Sequence, residues 1–599
     1  MKLTPMMQQY MDTKEQYKDC LLFFRLGDFY EMFFEDAKTA SKELEITLTG
    51  RDCGFGEKAP MCGVPWHSAH NYIAKLINKG YKVAICEQME DPSVAKGIVK
   101  REVTRVITPG TVTDPSMLED KKNNFLMVIY CQQTYFGIAV VDVTTAEFYA
   151  TQINYGNTYK KLYDEIYRYK PSEILVNGDF QKVISDKEFS EKTGVYVSVL
   201  EGEAFFRDEA IKRIESTVGE NVLKNQELAA VAAGALIYYL ISTQKTDLGH
   251  IHTIKPYQIE NYMMIDSSSR KNLELTETLR DRKKRGSLLW VLDKTTTAMG
   301  GRLLRKWIEQ PLLDVGEINK RLNAVEELKE KFMVRNEIME LLNKVYDMER
   351  LSAKLIVGNV NGRDLISLKA SIGQIPKIIE MVYGLKSEYC SEIFNATDPL
   401  TDIYNTIDSA IAEEPPLTIK DGGVIKSGFS EQVDSYRNAC IDGKQWVADL
   451  ESREREATGI KNLKIKYNKV FGYHIEVTNS NLNQVPERFV RKQTLTNCER
   501  YITEELKNLE DTILGAEEKV IELEYELFCR IREEIASKVL RIQQTAVQMA
   551  VLDVLCSLSE VADRENYTKP VVSEGGEIKI TDGRHPVVEK MLDKTAFVP

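Results

Sequence analysis

The sequence predicts a multidomain protein with α/β domains in its first half, a mainly α second half, and a small β insert between two long helices. Short apolar strands alternate with helical stretches up to about residue 250. Stretches rich in Leu, Glu and Lys with 3.6-residue periodicity follow Asn261, and β-type sequence interrupts them between residues 458 and 503. A chain of 599 residues has room for about four domains.

The composition is that of a soluble globular protein. Hydrophobic residues make up 43% and charged residues 28% of the chain, which excludes a disordered or collagen-like protein. The longest apolar run, residues 228–241, is shorter than the roughly 18 residues of a membrane span, and residues 1–5 contain no apolar signal core. We therefore expect a soluble, cytoplasmic protein.

Charge and cysteine content exclude two further classes. The net charge of −12 rules out a basic coat over the whole surface, so any contact with nucleic acid has to be local. The 10 cysteines are scattered singly without a CxxC pair, which indicates reduced thiols rather than a disulfide framework or a zinc ribbon.

Residues 1–115 are predicted to form the first α/β domain. Asp28 is a candidate N-cap because its carboxylate can accept a backbone N–H at the start of a helix. The pattern predicts a strand over 21–26, a helix over 29–44, a strand over 46–49, a Gly/Pro-rich loop over 50–65, a helix from 68 to a C-cap at Gly80, and strands over 82–86 and 103–108.

A second α/β domain is predicted over residues 120–250. Three runs rich in Val, Ile, Tyr and Phe between residues 124 and 150 indicate an antiparallel meander. A helical stretch over 159–169 and a strand over 173–176 follow. The helical region then occupies residues 260–457 and 504–562.

Two antiparallel helical arms are predicted between residues 426 and 545. The first runs to about residue 457, and the second returns from Thr503 with apolar residues at a/d spacing over three heptads. The intervening insert, residues 458–503, shows strand patterns over 463–467, 473–477 and 489–495 with a turn at Phe471 and Gly472.

The insert is locally basic. Residues 461–503 contain eight basic and three acidic residues. Such a surface either is a solvated charged face or neutralises phosphates, and its position at the end of an arm favours DNA. The predicted backbone contacts are the cations Lys466, Arg491 and Lys492 and the neutral donors Thr494 and Asn497.

Phe29 and Glu31 form a second candidate site, at a strand-to-helix corner. An aromatic residue at such a corner is by default part of the core. The functional alternative is a Phe wedge that stacks on a poorly paired base, next to a carboxylate that hydrogen-bonds a base edge.

Two groups of residues could suggest a metal site, but no metal is predicted. Cys53, Cys62, His67 and His70 are proper zinc ligands, but their spacing is unlike that of a zinc ribbon. Asp142 and Glu147 could indicate a two-metal nuclease, whereas isolated acids on a meander are usually turn residues or solvated.

Several collinear segments resemble the MutS family of bacterial DNA mismatch repair proteins over the whole chain. They are LLFFRLGDFYEMFFEDA (21–37), PMCGVPWHSAHNYIAKLI (60–77), AICEQMEDP (84–92), RVITPGT (105–111), LDKTTTAMGGRLLRKWIEQPL (292–312), FGYHIEVT (471–478), RKQTLTNCERYITEELK (491–507) and TDGRHPVVE (581–589).

The resemblance implies a domain plan and a set of residue roles. The plan is a mismatch-recognition domain, an RNase H-like connector, a helical lever interrupted by a β clamp, and the start of a P-loop ATPase domain over residues 563–599. Phe29 would be the wedge, Glu31 its base-edge partner, and Phe597 the residue that packs on adenine. Further DNA-backbone contacts would come from Arg51, Pro60, Met61, Lys100, Arg101 and Arg105.

The resemblance also implies an activity and partners. The family finds mispairs and small loops as a homodimer, and uses ATP and Mg²⁺ to become a sliding clamp that recruits MutL. The replication sliding clamp is a further expected partner. The sequence contains no GxxxxGK[ST] phosphate loop, so we expect these 599 residues to bind no cofactor and not to hydrolyse ATP. The alternative from another class is a long-helix scaffold without mismatch preference, which the Phe29–Glu31 pair argues against.

Overall fold

The computed structural model describes residues 3–54, 58–90, 97–154, 159–184, 186–200, 202–220, 222–245, 248–259, 262–468, 472–592 and 597–598. The chain folds into two compact units. Unit 1 comprises residues 1–359, 370–400 and 538–599, and unit 2 comprises residues 360–369 and 401–537. Multiple α/β and helical regions with mixed sheets are present, as the sequence predicts.

Unit 1 begins with a six-stranded mixed sheet in the order β3-β4-β2-β1-β5-β6. Only β1 and β5 are parallel neighbours. The elements are α1 (Pro5–Gln16), β1 (Cys20–Leu26), β2 (Phe29–Phe33), α2 (Phe34–Leu44), β3 (Thr49–Asp52), β4 (Lys58–Pro65), α3 (Ala69–Asn78), β5 (Lys82–Gln88) and β6 (Arg101–Ile107).

Two apolar clusters cover the two faces of this sheet. Helices α2 and α3 pack on one face with Phe23, Tyr30 and Ile85. Helix α1 packs on the other face, where Tyr10 contacts Phe24 and Phe33 edge-on with ring centroids 5.4 and 5.0 Å apart. The sheet therefore separates these two clusters, and the face on which a side chain lies decides which of them it can contact.

The predicted helix over 29–44, with Asp28 as its N-cap, is wrong in its first part. Residues 29–33 form strand β2, and the helix begins only at Phe34. A two-residue turn joins β1 to β2, with Gly27 at φ +59°, as a tight hairpin requires at its first central position. Pairing with β1 and β4 overrides the helical pattern of this segment.

The predicted strand over 46–49 and the loop over 50–65 are also misplaced. The structure has strand β3 at Thr49–Asp52 and strand β4 at Lys58–Pro65, paired antiparallel. Glycine and proline suggested a loop, but Gly50 lies in the edge strand β3, and Pro60 precedes the part of β4 that pairs with β2, so neither lies in a segment that is paired on both sides. The predicted helix from 68 to 80 is confirmed as α3, but α3 ends at Asn78 with Lys79 as its C-cap, and Gly80 (φ +86°) follows it.

The second sheet of unit 1 has the order β11-β10-β7-β8-β9-β12 and contains the predicted meander β7-β8-β9. Helix α8 packs against it as part of a large apolar cluster. The elements are β7 (Phe125–Gln132), β8 (Tyr135–Asp142), β9 (Glu147–Asn154), α4 (Lys160–Tyr169), β10 (Glu173–Val176), α5 (Gly178–Val183), α6 (Asp186–Thr193), β11 (Tyr196–Val199), α7 (Arg207–Val218), α8 (Glu227–Gln244) and β12 (Lys255–Pro256).

The following region is helical. Its elements are α9 (Ser267–Asn272), α10 (Leu288–Leu292), α11 (Ala298–Glu309), α12 (Val315–Glu330), α13 (Phe332–Leu342), α14 (Met348–Val357), α15 (Gly362–Ile372), α16 (Ile375–Tyr383), α17 (Glu388–Ala396) and α18 (Thr401–Ala410). In unit 1, helix α21 (Val539–Arg564) is the central helix, and α22 (Pro586–Met591) follows it.

Asp553 fixes α11 to α21. Its buried carboxylate accepts hydrogen bonds from the backbone N–H groups of Thr296 (3.0 Å) and Thr297 (2.8 Å). A Cβ at Gly300 would lie 2.2 Å from the same carboxylate, so only glycine allows this approach. Helices α8 and α21 are long and apolar enough to span a membrane, but most of each is buried inside unit 1, as expected of core helices.

Unit 2 contains the two predicted long arms. Helix α19 (Glu431–Thr458) begins at the N-cap Ser430, and helix α20 (Glu504–Ala536) begins at the N-cap Thr503, whose hydroxyl accepts from the N–H of Leu506 at 3.2 Å. The helices approach closely, because a Cβ at Gly443 would lie 2.5 Å from the Ile513 side chain.

The insert between the arms is a four-stranded antiparallel sheet in the order β13-β14-β16-β15. Its strands are β13 (Lys464–Asn468), β14 (Gly472–Thr478), β15 (Val490–Thr494) and β16 (Cys498–Ile502). Ile475, Val477 and Tyr501 of the sheet pack with Val447 and Leu450 of α19. Phe471 of the predicted turn and Lys469 lie outside the described residues.

Candidate nucleic-acid interface

Phe29 lies at the end of the β1–β2 hairpin with its side chain in solvent. It is 46% exposed, whereas Tyr30 and Met32 of the same strand are 6% and 0% exposed. Leu26 and Pro65 are its neighbours on the two adjacent strands. Since a core aromatic residue would be covered, this exposure argues against the core alternative for Phe29.

Glu31 shares the sheet face of Phe29. Side chains of a strand alternate between faces, so residues 29 and 31 lie on one face, next to Leu26 and Phe24 of β1. The Glu31 carboxylate forms an ion pair with the Arg51 guanidinium of strand β3. The sequence motif therefore becomes a three-residue surface in which an exposed ring lies beside a paired carboxylate and guanidinium.

The other residues of the first domain that were predicted to contact the DNA backbone do not all lie on the sheet face of Phe29. Met61 packs partly on the apolar cluster of the Phe29 face, whereas Pro60, one residue earlier on β4, has the opposite orientation. Lys100 is exposed, and its ammonium lies 2.6 Å from Glu102.

Arg101 is part of the packing on the Phe29 face. Its guanidinium donates to the backbone carbonyls of Arg25 (2.7 Å) and Val99 (3.0 Å) and lies 5.2 Å from the centre of the Phe24 ring. Burial lowers the pKa of this guanidinium. Arg105, in contrast, pairs with Ile85 of β5 and lies on the opposite face, with Tyr30.

Sequence reasoning did not single out Trp66. It is 47% exposed, and its backbone N–H donates to the Asp28 carbonyl at 3.0 Å, which places it beside the hairpin turn. The Arg25 guanidinium lies 4.5 Å from the centre of its ring. The hairpin end therefore has two exposed aromatic residues, and the signal for the second was an aromatic residue directly after the Gly–Val–Pro segment.

The insert of unit 2 presents its predicted contact residues on an exposed surface. Arg491 is 3.4 Å from Glu499, and Lys466 is 2.9 Å from Glu476. Lys492 is exposed next to a bulge in β15 and makes no ion pair with any described residue. Thr494 ends β15 and Asn497 lies in the turn to β16, both exposed.

Of the two groups that could suggest a metal site, the cysteines lie apart, whereas Asp142 and Glu147 are opposite each other on β8 and β9, where the Asn123 amide donates to both carboxylates (2.9 and 3.1 Å). Cys53 and Cys62 are buried in the clusters on opposite faces of the first sheet. The buried Asp142 carboxylate accepts from the Asn124 N–H at 3.1 Å, and Glu147 lies 2.7 Å from Lys306. Among the described residues, no group of three or more His, Cys, Asp or Glu side chains could hold a metal ion.

The last described segment is mostly exposed. Arg584 attaches it to unit 1 by donating to the carbonyls of Glu565 (2.7 Å) and Asn566 (2.9 Å). Phe597 is half-buried, and its neighbours 593–596 and 599 lie outside the described residues.

The sequence of this chain matches known family profiles over three long segments. Three family profiles match in chain order: MutS domain I over residues 4–116, MutS domain II over 124–252 and MutS domain III over 268–559. The chain is thus a multidomain protein of the kind built from these three MutS domains.

Close relatives carry the name DNA mismatch repair protein MutS. Those from Acetivibrio thermocellus and Ruminiclostridium cellulolyticum are 58% and 59% identical over the whole chain, which spans 69% of each. One from Lachnoclostridium phytofermentans is 52% identical, and the chain spans 64% of it. This chain belongs to the MutS family of DNA mismatch repair proteins.

Proposed function

We propose that this protein recognises mispaired or looped duplex DNA, with Phe29 as the wedge and Glu31 as the partner of a base edge. The observation that supports this most directly is the 46% exposure of Phe29 at the hairpin end, on the face that also presents Glu31. An unburied aromatic ring next to a carboxylate suits a base that has left the stack.

The proposed readout is indirect. A mispaired step costs less to unstack and kink than a paired one, so a ring inserted there recovers more free energy than it does on matched DNA. Glu31 then hydrogen-bonds the displaced base. Because Arg51 is paired with Glu31 in the free protein, we propose that it compensates the carboxylate charge near phosphates.

The insert of unit 2 is proposed to hold the DNA backbone. Lys466, Arg491 and Lys492 supply positive charge, and Thr494 and Asn497 supply neutral donors. These contacts would be independent of sequence and sensitive to salt, because each neutralised phosphate releases counterions. Mismatch preference would then come from the first domain and general affinity from the insert.

The function of the complete protein is part of the same proposal. It would act in the cytoplasm as a homodimer, bind ATP and Mg²⁺ with Phe597 packing on adenine, and become a sliding clamp that recruits MutL and contacts the replication sliding clamp. The 599 residues of this chain contain no phosphate-binding loop sequence, so the proposal assigns ATP hydrolysis to the complete protein.

A binding comparison tests mismatch recognition. The affinities for a duplex with one G·T mispair, a duplex with one unpaired base and the matched duplex are measured at one salt concentration. We expect tighter binding to the first two. Equal affinity for all three would instead support the alternative, a long-helix scaffold that binds DNA without mismatch preference.

A further inference from the structure

A cavity of about 550 Å³ lies inside unit 1, on the side of the first sheet that faces away from Phe29. Three parts of the unit contribute polar side chains to its wall. These are Tyr30 and Arg105 from the first sheet, Thr144 and Gln244 from the second α/β domain, and Arg350 and Lys354 from helix α14.

Arg350 is the most unusual group in this wall. It is 5% exposed, and its Nη2 donates to the carbonyls of Glu119 (3.0 Å) and Lys122 (2.9 Å). Its Nε and Nη1 have no hydrogen-bond acceptor among the described residues. The nearest carboxylates, of Asp347 and Asp120, are 3.8 and 3.9 Å away. Buried N–H donors without acceptors are costly, and Arg350 therefore contributes positive charge to the wall that no carboxylate closer than 3.8 Å neutralises.

Arg105 adds a second guanidinium to the wall. It projects from β6 on the Tyr30 side of the sheet, and its guanidinium makes no ion pair or hydrogen bond to a described residue. Lys354 adds a third cation from α14. Arginine presents several N–H donors in a planar fork that matches the oxygens of a phosphate.

The two carboxylates of the wall already have partners. The Glu87 carboxylate accepts from the Tyr30 hydroxyl and lies 3.7 Å from the Arg25 guanidinium. The Asp114 carboxylate accepts from the N–H (3.0 Å) and the hydroxyl (2.8 Å) of Ser116. They therefore offset the positive charge of the wall without pairing with the Arg105 guanidinium.

We propose that this cavity is a binding site for a phosphate group, either inorganic phosphate or the phosphate of a mononucleotide. Its volume lies in the range of small-molecule sites. The Tyr30 ring, Ile85 and Val357 supply apolar wall next to the cations, as the base or sugar of a nucleotide would need. Duplex DNA at Phe29 would lie on the other face of the sheet and would not occupy it.

Occupation would link the first sheet to helix α14. A phosphate between Arg105 and Arg350 bridges two elements that are far apart in sequence, and the Thr144 and Gln244 side chains lie in the same wall. Because a ligand that binds only the folded state stabilises it by mass action, the amides of β6 and α14 should exchange more slowly when the site is filled.

Calorimetric titration of the chain with inorganic phosphate, AMP and a short single-stranded oligonucleotide, at constant ionic strength, tests the site. We expect saturable binding of phosphate or AMP. Arg105→Gln should weaken it at least tenfold and Arg105→Lys less. The matched control is Arg285→Gln, which removes an exposed arginine outside the cavity and should leave the affinity within twofold.

The titration distinguishes a site for inorganic phosphate from a site for a mononucleotide. Equal affinity for phosphate and AMP identifies a free-anion site, and tighter binding of AMP identifies a nucleotide site. Hydrogen exchange of the unmodified chain is the second measurement, with slower exchange of β6 and α14 expected in phosphate than in chloride. Absence of saturable binding, binding only of the oligonucleotide, or unchanged affinity in Arg105→Gln would overturn the proposal.

Discussion

Glu31 of strand β2 forms an ion pair with Arg51 of strand β3 across the intervening strand β4. Strand β4 presents Gly63 opposite Glu31, so the direct neighbour of Glu31 on that strand has no side chain. The Glu31 side chain is the more buried of the two, 16% exposed against 40% for Arg51. The pair keeps the carboxylate beside Phe29 in place and balances its charge.

Replacing Glu31 by Ala should raise affinity for matched DNA. The change removes a negative charge near the expected phosphates and also releases Arg51 to contact them. The slope of log affinity against log salt should therefore steepen by about one unit, as expected for one additional phosphate contact. The preference for a mispair should fall. Fluorescence anisotropy over a salt series measures both quantities. An unchanged affinity and slope for matched duplex would contradict this role of the pair.

Arg51→Gln should act in the opposite direction. It leaves the Glu31 charge uncompensated, so affinity for matched and mismatched duplexes should fall together, by roughly three- to tenfold at low salt, as expected for about 1 kcal/mol. In the Glu31→Ala background the same substitution should instead remove the phosphate contact of the released Arg51, so it should also reverse the steeper salt slope of Glu31→Ala. Additive effects in this double-mutant cycle would show that the ion pair does not influence binding.

Lys492→Ala should weaken binding to matched and mismatched duplexes alike and reduce the salt slope by about one unit. Lys492 is the strongest candidate in the insert because it has no ion-pair partner among the described residues, whereas Arg491 lies near Glu499. Lys420→Ala, which removes an exposed lysine of unit 2 outside this sheet, is the matched control. A loss of mismatch binding alone, with an unchanged salt slope, would disprove a phosphate contact.

Glu327 provides a pH-dependent test of the helical region. Burial alone would raise the pKa of this carboxyl, but hydrogen bonds from the Lys331 ammonium (2.8 Å) and from the N–H groups of Lys386 and Ser387 (each 2.7 Å) lower it to about 2. A lowered pKa stabilises the fold above the ordinary value of 4.5, and this contribution is lost as the pH falls towards 2.

Glu327→Gln should therefore reduce the free energy of unfolding at pH 7 by about 1 to 3 kcal/mol. The difference from the unmodified protein should shrink below pH 4.5 and vanish near pH 2. Denaturant unfolding at pH 7 and pH 3 measures it. Glu330→Gln, at an exposed position of the same helix, should have little effect. A difference that stays constant across this pH range would show that the carboxylate charge is not responsible.

The strands and helices with a regular apolar pattern could be predicted from the sequence. The apolar pattern of the sequence predicts the meander β7-β8-β9, strand β10 and the arms α19 and α20, and the structure has each of these elements. The a/d pattern of α20 holds to Val520, after which the buried positions include Glu524, whose carboxylate is paired with Arg437 at 2.6 Å. A buried charge at such a position depends on a distant partner that local spacing does not reveal.

The candidate site could be predicted in part. The residue types at Phe29 and Glu31 indicated a wedge and its partner. Residues 29–33 were nevertheless predicted as the start of a helix, because the local sequence does not reveal that β2 pairs with β4, about thirty positions away. For the same reason Arg105, predicted beside the DNA, lies on the opposite face. Which face a side chain occupies is set by strand register, and register is a property of the whole sheet.

The most direct test of the proposed function is the binding of Phe29→Ala to a G·T heteroduplex and to the matched duplex in the full-length protein. A ring stacked on a base is worth about 1 to 3 kcal/mol, so mismatch affinity should fall about ten- to a hundredfold while matched affinity stays nearly constant. The melting temperature should not change, because an exposed ring contributes little to folding. Phe332→Ala, at another exposed phenylalanine of unit 1, should leave both affinities unchanged. A Phe29→Ala protein that keeps its original preference for the heteroduplex would contradict the wedge.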